Sequence, residues 1–342
     1  MDPGRIRTPR DARLLDGLDV RQLAGVEIGA LAAPVVTPGE GRIRYVDHVD
    51  TASLRRKYAA HGTVDVSALV EVDAVWGEAS LSEALGPECR VDYVLASHVI
   101  EHVPNLLGWL GEVAGIMRPG GTLRLAIPDR RFTFDYLRRE SRLSDLLNAS
   151  LLQARIPLPA HILDHMLEAV SFDPATMGNA PDPDDIARLH ALESAVGPAL
   201  DSHRNGVYHD VHCWVFTPAA FVSLLGRASR FGLHPFGCEW VVPTPPGQNE
   251  FLAALVLSDD PAAAAASWRE AAHRLRADQD TDVRDRLLSE MTAERDDAIA
   301  SATAARTERN AAAAKLAAME RTAAWRVVAR LQELLGALRP RG

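Results

Sequence analysis

The sequence predicts an α/β fold, a mostly parallel sheet with helices on both faces, followed by a helical C-terminal extension. Three observations carry that prediction. From about residue 24 to 130, short apolar runs alternate with amphipathic stretches. Two strand-like runs, "FGCEWVV" and "NEFLAALVLSD", then close the sheet as an antiparallel pair. After Asp260 the chain turns Ala- and Arg-rich and has no glycine until about residue 335.

The elements follow in order. "GVEIGAL" reads as the first strand and "RIRYVDHVD" as the second. "VDYVLASHV" is a buried strand and "GTLRLAIPD" another. Between them "NLLGWLGEVAGIMRPGG" carries apolar residues at helical spacing and stops on Pro119, Gly120 and Gly121, a strong helix-to-strand turn. Residues 136–205 break the alternation and read as an inserted, partly helical segment on the substrate side. "TPAAFVSLLGRASRFGLH" restores a capped helix before the closing strands. These elements make one domain over 1–260.

Residues 261–342 form the extension. A seven-residue seam runs through Leu288, Met291, Arg295, Ala298, Ala302, Ala305, Arg309, Ala312, Leu316 and Met319, mostly Ala with two Arg. It predicts a long helix with modest coiled-coil potential. Further on, Trp325, Val328, Leu331, Leu335 and Leu338 share one helical face beside an Arg-rich flank. An apolar stripe of this kind marks a contact. Self-association, docking to a partner, peripheral membrane contact and folding back onto the first domain all fit it.

Bulk numbers exclude several classes. The chain has 342 residues, 47% hydrophobic and 24% charged, the balance of a globular protein. A net charge of −9 argues against nucleic acid as partner, which calls for a basic face. The 3 cysteines are far apart and form no CxxC pair, so a zinc knuckle and a disulfide framework are both disfavoured. No signal-like apolar core and no bilayer-spanning run is evident, so a cytoplasmic location is expected, with membrane association at the cytoplasmic face as a variant.

The stretch "GVEIGALAAPVV", residues 25–36, poses the first chemical question. A dinucleotide loop would add glycines after Gly29, where this chain has Ala30, Leu31, Ala32, Ala33 and Pro34. A cofactor without a phosphate needs fewer glycines. Glu27 suits a cofactor with positive charge, or orders the loop through a water.

Residues 91–135 carry the answer. Ser97 and His98 follow a strand beginning Val91-Asp92, with Glu101 and His102 just beyond. A helix then ends in Arg118-Pro119-Gly120-Gly121 and a strand in Ile127-Pro128-Asp129. With "VEIGAL" upstream, this pattern resembles class I S-adenosylmethionine-dependent methyltransferases over roughly residues 24–260. "IPDRRFTFD" with "YHDVHCWVFTPAAF" and a helical tail containing "AAWRVVARLQELL" resembles those associated with glycosyltransferases and surface-polysaccharide biosynthesis. The resemblance implies a Rossmann-like methyltransferase fold with a seven-stranded, mostly parallel sheet. It also implies S-adenosyl-L-methionine as cofactor. Glu27, Gly29, Ala30 and Leu31 would lie at the first loop, Asp47 would accept the ribose hydroxyls, and Ser97 and His98 would end the fourth strand. Asp73 and Trp76 would meet the adenine. Asp50 better suits a cap for the helix "TASLRRKY".

Methyl transfer to a hydroxyl requires alignment and removal of a proton, a task for histidine near neutral pH. "HILDH" supplies His161, Asp164 and His165, and "SHRNGVYHDVHCW" supplies His203, His209, Asp210 and His212. The reading makes His209, oriented by Asp210, the base, with His102 a further catalytic candidate. Arg131, His165 and His212 would contact the acceptor. H-D-x-H alone is no zinc signature, so no metal is expected. The resemblance implies O-methylation of a small-molecule or glycan acceptor, most simply a sugar hydroxyl. Methylation of another metabolite at O or N, and a non-catalytic scaffold recruiting partners through its tail, are the alternatives.

Overall fold

The computed structural model describes residues 7–59, 64–77, 79–171, 186–320 and 326–332. One seven-stranded sheet lies at its centre. Its strands are β1 (Ala24–Ile28), β2 (Arg42–Asp47), β3 (Ala74–Val75), β4 (Val91–Ser97), β5 (Met117–Pro128), β6 (Phe236–Val242) and β7 (Glu250–Leu257). The spatial order is β3-β2-β1-β4-β5-β7-β6. Neighbours from β3 to β5 pair in parallel, and β7 runs antiparallel to both β5 and β6. This is the Rossmann-like methyltransferase arrangement that the motifs implied.

Strands β4 and β5 are buried on both faces, which is why they read as continuous apolar runs. Gly25 lets β1 lie against β4, because a Cβ there would stand 2.1 Å from the Tyr93 ring. Helix α1 (Pro9–Leu14) precedes β1 and is capped by Thr8. Helices α2 (Thr51–Ala59) and α3 (Leu81–Leu85) flank β3 in sequence. Asp50 accepts the Ser53 N–H at the start of α2, as a cap does. Helix α4 (Leu106–Ile116) buries Leu106, Trp109, Leu110, Val113 and Ile116, an i, i+3, i+4, i+7, i+10 stripe. Each such side chain contributes about 1.5–3 kcal/mol when fully buried.

The β1–β2 crossover holds no helix. Residues 29–41 form a loop with Pro34, Pro38 and Gly39 in it. Leu14, Leu15 and Val20 from the N-terminal segment, with Val35 and Val36 from the loop, pack on Tyr93 and Leu95 and cover that sheet face. With no helix N-terminus there, the loop has no need of phosphate-loop glycines.

The inserted segment contains α5 (Leu143–Leu151), α6 (Pro159–Glu168) and α7 (Leu192–Asn205). Helix α8 (Pro218–Arg230) follows, with Pro218 at its first position and Thr217 accepting the Ala220 N–H.

Helix α9 (Pro261–Glu320) corrects the domain boundary expected at residue 260. Ala264, Trp268, Ala271 and Leu275 on its first turns are buried. The Trp268 indole donates to the Phe236 carbonyl at 2.9 Å, and Ser267 Oγ accepts the Cys238 N–H at 2.9 Å. The first compact unit therefore ends at Arg276, and a second begins at Ala277. Composition changes at 260 because a helix begins there; the core it serves ends later.

In the second unit, Ala305, Arg309 and Ala312 are exposed. Residues 326–332 are helical, with Val328 42% and Leu331 53% exposed. The side chains of the other seam positions, and Trp325, Leu335 and Leu338, lie outside the described residues. No helix among the described residues is long and apolar enough to cross a membrane.

Candidate active site

Parallel pairing lines up three strand ends. Ile28 of β1 pairs with Val46 of β2 and Ala96 of β4, so Gly29, Asp47 and Ser97 follow side by side. Strand spacing of about 4.8 Å puts the three within roughly 10 Å. Gly29 has φ +71°, and a Cβ on it would meet Val99 Cγ2 at 2.8 Å. Both facts require glycine. Leu31 (φ 48°) and His98 (φ 52°) are left-handed without being glycine, strain of about 1–3 kcal/mol each held where loops from β1 and β4 leave the sheet.

Glu27 orders the loop through direct hydrogen bonds. Its carboxylate, 2% exposed, accepts the N–H groups of Val35 (2.7 Å) and Val36 (3.2 Å) directly. Its role is to fold the loop back over Gly29 and Ala30. Asp47 is buried, and its Oδ1 accepts the His48 N–H (2.7 Å) and contacts the His48 ring (2.6 Å). Its Oδ2 has no partner among the described residues. Asp73 and Trp76, expected to meet the adenine, each have a partner within the protein. Asp73 precedes β3 and its Oδ2 accepts the Tyr45 N–H at 2.7 Å, a sheet-edge bond. The Trp76 indole donates to Glu112 of α4 at 2.9 Å and packs against the core.

Beyond β4 the chain makes a 3-10 turn, Ile100–His102, anchored by the fully buried Ile100. The Cys213 and Trp214 N–H groups both donate to the Glu101 carbonyl, and the Trp214 indole donates to the Val103 carbonyl at 2.6 Å. Residues 210–214 are thereby bolted to this turn. Glu101 is 1% exposed, and neither carboxylate oxygen has a hydrogen-bond partner.

Three histidine–carboxylate pairs surround it. His98 Nε2 meets Glu250 Oε2 at 2.8 Å, His102 Nδ1 lies 3.0 Å from Asp210 Oδ1, and His212 Nδ1 meets Asp135 Oδ2 at 2.6 Å. The His102 contact is an ion pair rather than an aligned hydrogen bond, since Nδ1 has no well-directed partner. Burial alone would lower the pKa of His98. Its bond to Glu250 and the Glu101 charge outweigh that and raise it. Burial is likewise outweighed at His102, by Asp210 and Glu101. Asp135 goes the other way. Despite burial, His212 and Arg138 hold it down at about 2.

Arg138, 1% exposed, ties the cluster together. It donates to Asp135 (2.7 Å), Asp164 (2.9 Å) and the His212 carbonyl (2.9 Å). A cleft of about 460 Å³ opens beside it, lined by His98, Phe132, Thr133, Phe134, Ser171, His212 and Asn249 among others.

Four expected roles change. Asp210 does not orient His209: His209 Nε2 meets Asp201 at 3.1 Å, while Asp210 turns to His102 and Lys57. Neighbouring side chains diverge, so Asp210 and His212 reach the cluster and His209 does not. Arg131 does not face the cleft with a free guanidinium. It grips the fully buried Asp129 at 2.6 Å at the end of β5. His165 stands behind His212 as a support, its Nδ1 accepting the His212 N–H at 3.3 Å. Burial, with the nearby Arg138 charge, pushes its pKa down to about 3, so it stays neutral. Finally, no metal was expected, yet the fold gathers Glu101, His102 and His212 with donor atoms all within 4.8 Å of one another.

Asp135, Arg138 and Glu250 are the residues that sequence reasoning missed. Asp135 closes the "PDRRFTFD" run and was the nearest to legible. Arg138 sits in an ordinary "LRRE", and Glu250 begins a strand, where neither spacing nor composition marks it.

A family model described as "Methyltransferase domain" matches residues 17–189. No curated protein matches the chain. Among solved structures, the CurJ carbon methyltransferase is similar at 13% identity and TM-score 0.35, over 72% of this chain and 51% of that one. The CcbJ methyltransferase from Streptomyces caelestis is similar at 19% identity and TM-score 0.27, over 39% and 57%. The chain thus spans little more than half of either. An S-adenosylmethionine dependent methyltransferase from Mesorhizobium loti is similar at 13% identity and TM-score 0.37, over 74% of this chain and 98% of that one. With half of its length matched by the family model and the sheet order of the fold, the chain belongs to the methyltransferase-domain family.

Proposed function

We propose that this enzyme transfers the methyl group of S-adenosylmethionine to a hydroxyl of a sugar or glycan precursor. The observation that carries the reading is the adjacency of two different surfaces at one sheet edge. Gly29, Asp47 and Ser97 lie on one side, and the histidine–carboxylate pairs with their cleft on the other.

The residues present fit the cofactor. Asp47 keeps Oδ2 open for a ribose hydroxyl, and Gly29, with φ +71°, turns the chain away from the end of β1 without a side chain. S-adenosylmethionine supplies an electrophilic methyl on a sulfonium. Around it, the strained Leu31 and His98 turns fix the loop backbones, and the buried carboxylates favour a positive charge nearby. On the acceptor side, Phe132 and Phe134 offer apolar faces, and Ser171, Asn249 and His212 offer hydrogen-bonding atoms. That mixture suits a sugar, whose ring has C–H faces and hydroxyl edges. The His98–Glu250 pair, whose imidazole lines the cleft, holds the hydroxyl and takes its proton.

The second unit is read as an extension that positions the enzyme by self-association, partner docking or contact with a membrane surface. Its exposed Val327, Val328 and Leu331 favour that role. Truncation after Arg276, rather than after Asp260, tests it without stripping Trp268 from the core. The truncated protein should keep activity and lose assembly or sedimentation with vesicles.

The acceptor is tested with methyl-labelled cofactor against a panel of nucleotide sugars and lipid-linked glycans. Label should enter at oxygen. Transfer confined to acceptors without a sugar hydroxyl would defeat the glycan reading.

A further inference from the structure

We propose that Glu101, His102 and His212 bind one divalent transition-metal ion of the zinc class, beside the cleft that His212 lines. Three independent features point there. The first is distance: one ligand atom from each of the three lies within 4.8 Å of the others.

The second is the state of Glu101. A carboxylate removed from water is tolerated only with compensating hydrogen bonds or charge. Glu101 is 1% exposed and neither oxygen has a hydrogen bond. Its nearest basic atoms are His98 Nδ1 at 3.5 Å and His102 Nε2 at 3.9 Å, both too far for a good one. No Lys or Arg pairs with it among the described residues, whereas Asp135 has Arg138 and Asp210 has Lys57. A cation between the oxygens and the two imidazoles would supply the missing partner.

The third is what lies behind the imidazoles. His102 carries Asp210 on Nδ1 at 3.0 Å, and His212 carries Asp135 on Nδ1 at 2.6 Å. The hydrogen bond fixes the His212 ring and leaves Nε2 as its remaining ligand atom, the usual arrangement behind metal-bound histidine, while His102, paired with Asp210 by charge, turns its Nε2 toward Glu101 at 3.9 Å. The two rings stand edge to face with centroids 4.7 Å apart, so neither can turn independently. Two imidazole nitrogens and one carboxylate oxygen suit a first-row ion such as zinc and leave coordination positions open. An oxygen of the acceptor is the fitting occupant of an open position. That last clause rests on the reading of the cleft as the acceptor side; the metal site itself does not.

The test uses the full-length chain freed of metal by a chelator and titrated with Co²⁺, read by visible d–d absorption. Stoichiometric binding with a nitrogen-rich spectrum, reversed by Zn²⁺, is the expected result. Glu101→Gln and His212→Gln should each weaken it by at least tenfold. Asp135→Asn, which removes only the support behind His212, should weaken it by about 10–100-fold. His209→Ala should bind cobalt like the parent. Should Glu101→Gln fail to fold, judged by far-ultraviolet circular dichroism, the His212 and Asp135 variants give the same readout. Absence of d–d absorption at stoichiometric cobalt, or binding that survives His212→Gln, would overturn the proposal. Binding of S-adenosylhomocysteine to the metal-free protein is measured separately, so that a failed metal site and a failed methyltransferase reading are told apart.

Discussion

Glu27 and Glu101 are both buried carboxylates of the same sheet unit, 2% and 1% exposed, yet their oxygens meet opposite surroundings. Glu27 accepts two backbone N–H groups and closes the β1–β2 loop. Glu101 accepts none and is ringed by three histidines that already have carboxylates of their own. Burial alone therefore does not distinguish a structural acid from a functional one; the inventory of partners does. A satisfied buried acid belongs to the fold, and an unsatisfied one marks a place where something else binds.

The largest expected effect separates the two residues by readout. Glu101→Gln should lower the methyl-transfer rate by about 10²–10³-fold, the scale of removing one preorganised electrostatic group. Its folding stability should hold or rise, because an unpaired buried charge is removed. Initial rates and a denaturant melt on the same preparation check both halves. A rate near the parent's would make Glu101 an ordinary buried acid and erase the contrast.

Glu27→Ala should do the reverse. It leaves the Val35 and Val36 N–H groups buried without an acceptor, at about 1–3 kcal/mol each. Stability falls first, and cofactor affinity follows only through the loop. A variant as stable as the parent, but unable to bind S-adenosylhomocysteine, would mean that Glu27 touches the cofactor after all.

The comparison also shows what a sequence can carry. Six of the seven β-strands, helix α4 and the capped α8 were legible, because apolar period and turn chemistry are local; the two-residue β3 was too short to show either. Gly29 was legible for the same reason. The β1–β2 link was not: Ala30 to Ala33 looked like an eroded phosphate loop, and only the fold reveals that no helix follows. Glu101, His102 and His212 were each visible, but their meeting was not, since 110 residues separate His102 from His212 and local spacing cannot encode that contact. The choice between His209 and His212 failed on a still finer point, which side of one short segment faces the turn at Ile100–His102.

A smaller effect comes from the titration of Glu27. Burial, only partly offset by its two N–H donors, pushes its pKa from 4.5 up to about 7. A pKa raised in the folded state contributes stability that is fully present below about pH 4.5. That contribution is lost as pH rises through about 7. Unfolding free energy should therefore carry a declining component across that window, and Glu27→Gln should flatten it. Denaturant titrations at several pH values measure the slope; identical slopes in the two proteins would show that Glu27 titrates as it does in water.

The smallest effect is expected at His209, and it sharpens the comparison by its smallness. His209 pairs with Asp201, stands outside the residues lining the cleft and has no part in the cluster around Glu101. His209→Ala should change stability by no more than about 0.5 kcal/mol, as substitutions away from buried networks do. A change of that size in the activation barrier corresponds to a rate within about twofold to threefold of the parent's. His212→Ala, three residues on, removes the partner of Asp135 and an imidazole of the cleft wall, and should cost far more. Parallel rate measurements on the two variants decide between neighbouring histidines that sequence spacing alone could not rank. If His209→Ala were the slower enzyme, the proton would leave through the Asp201 side, and the cluster around Glu101 would lose its claim to the acceptor.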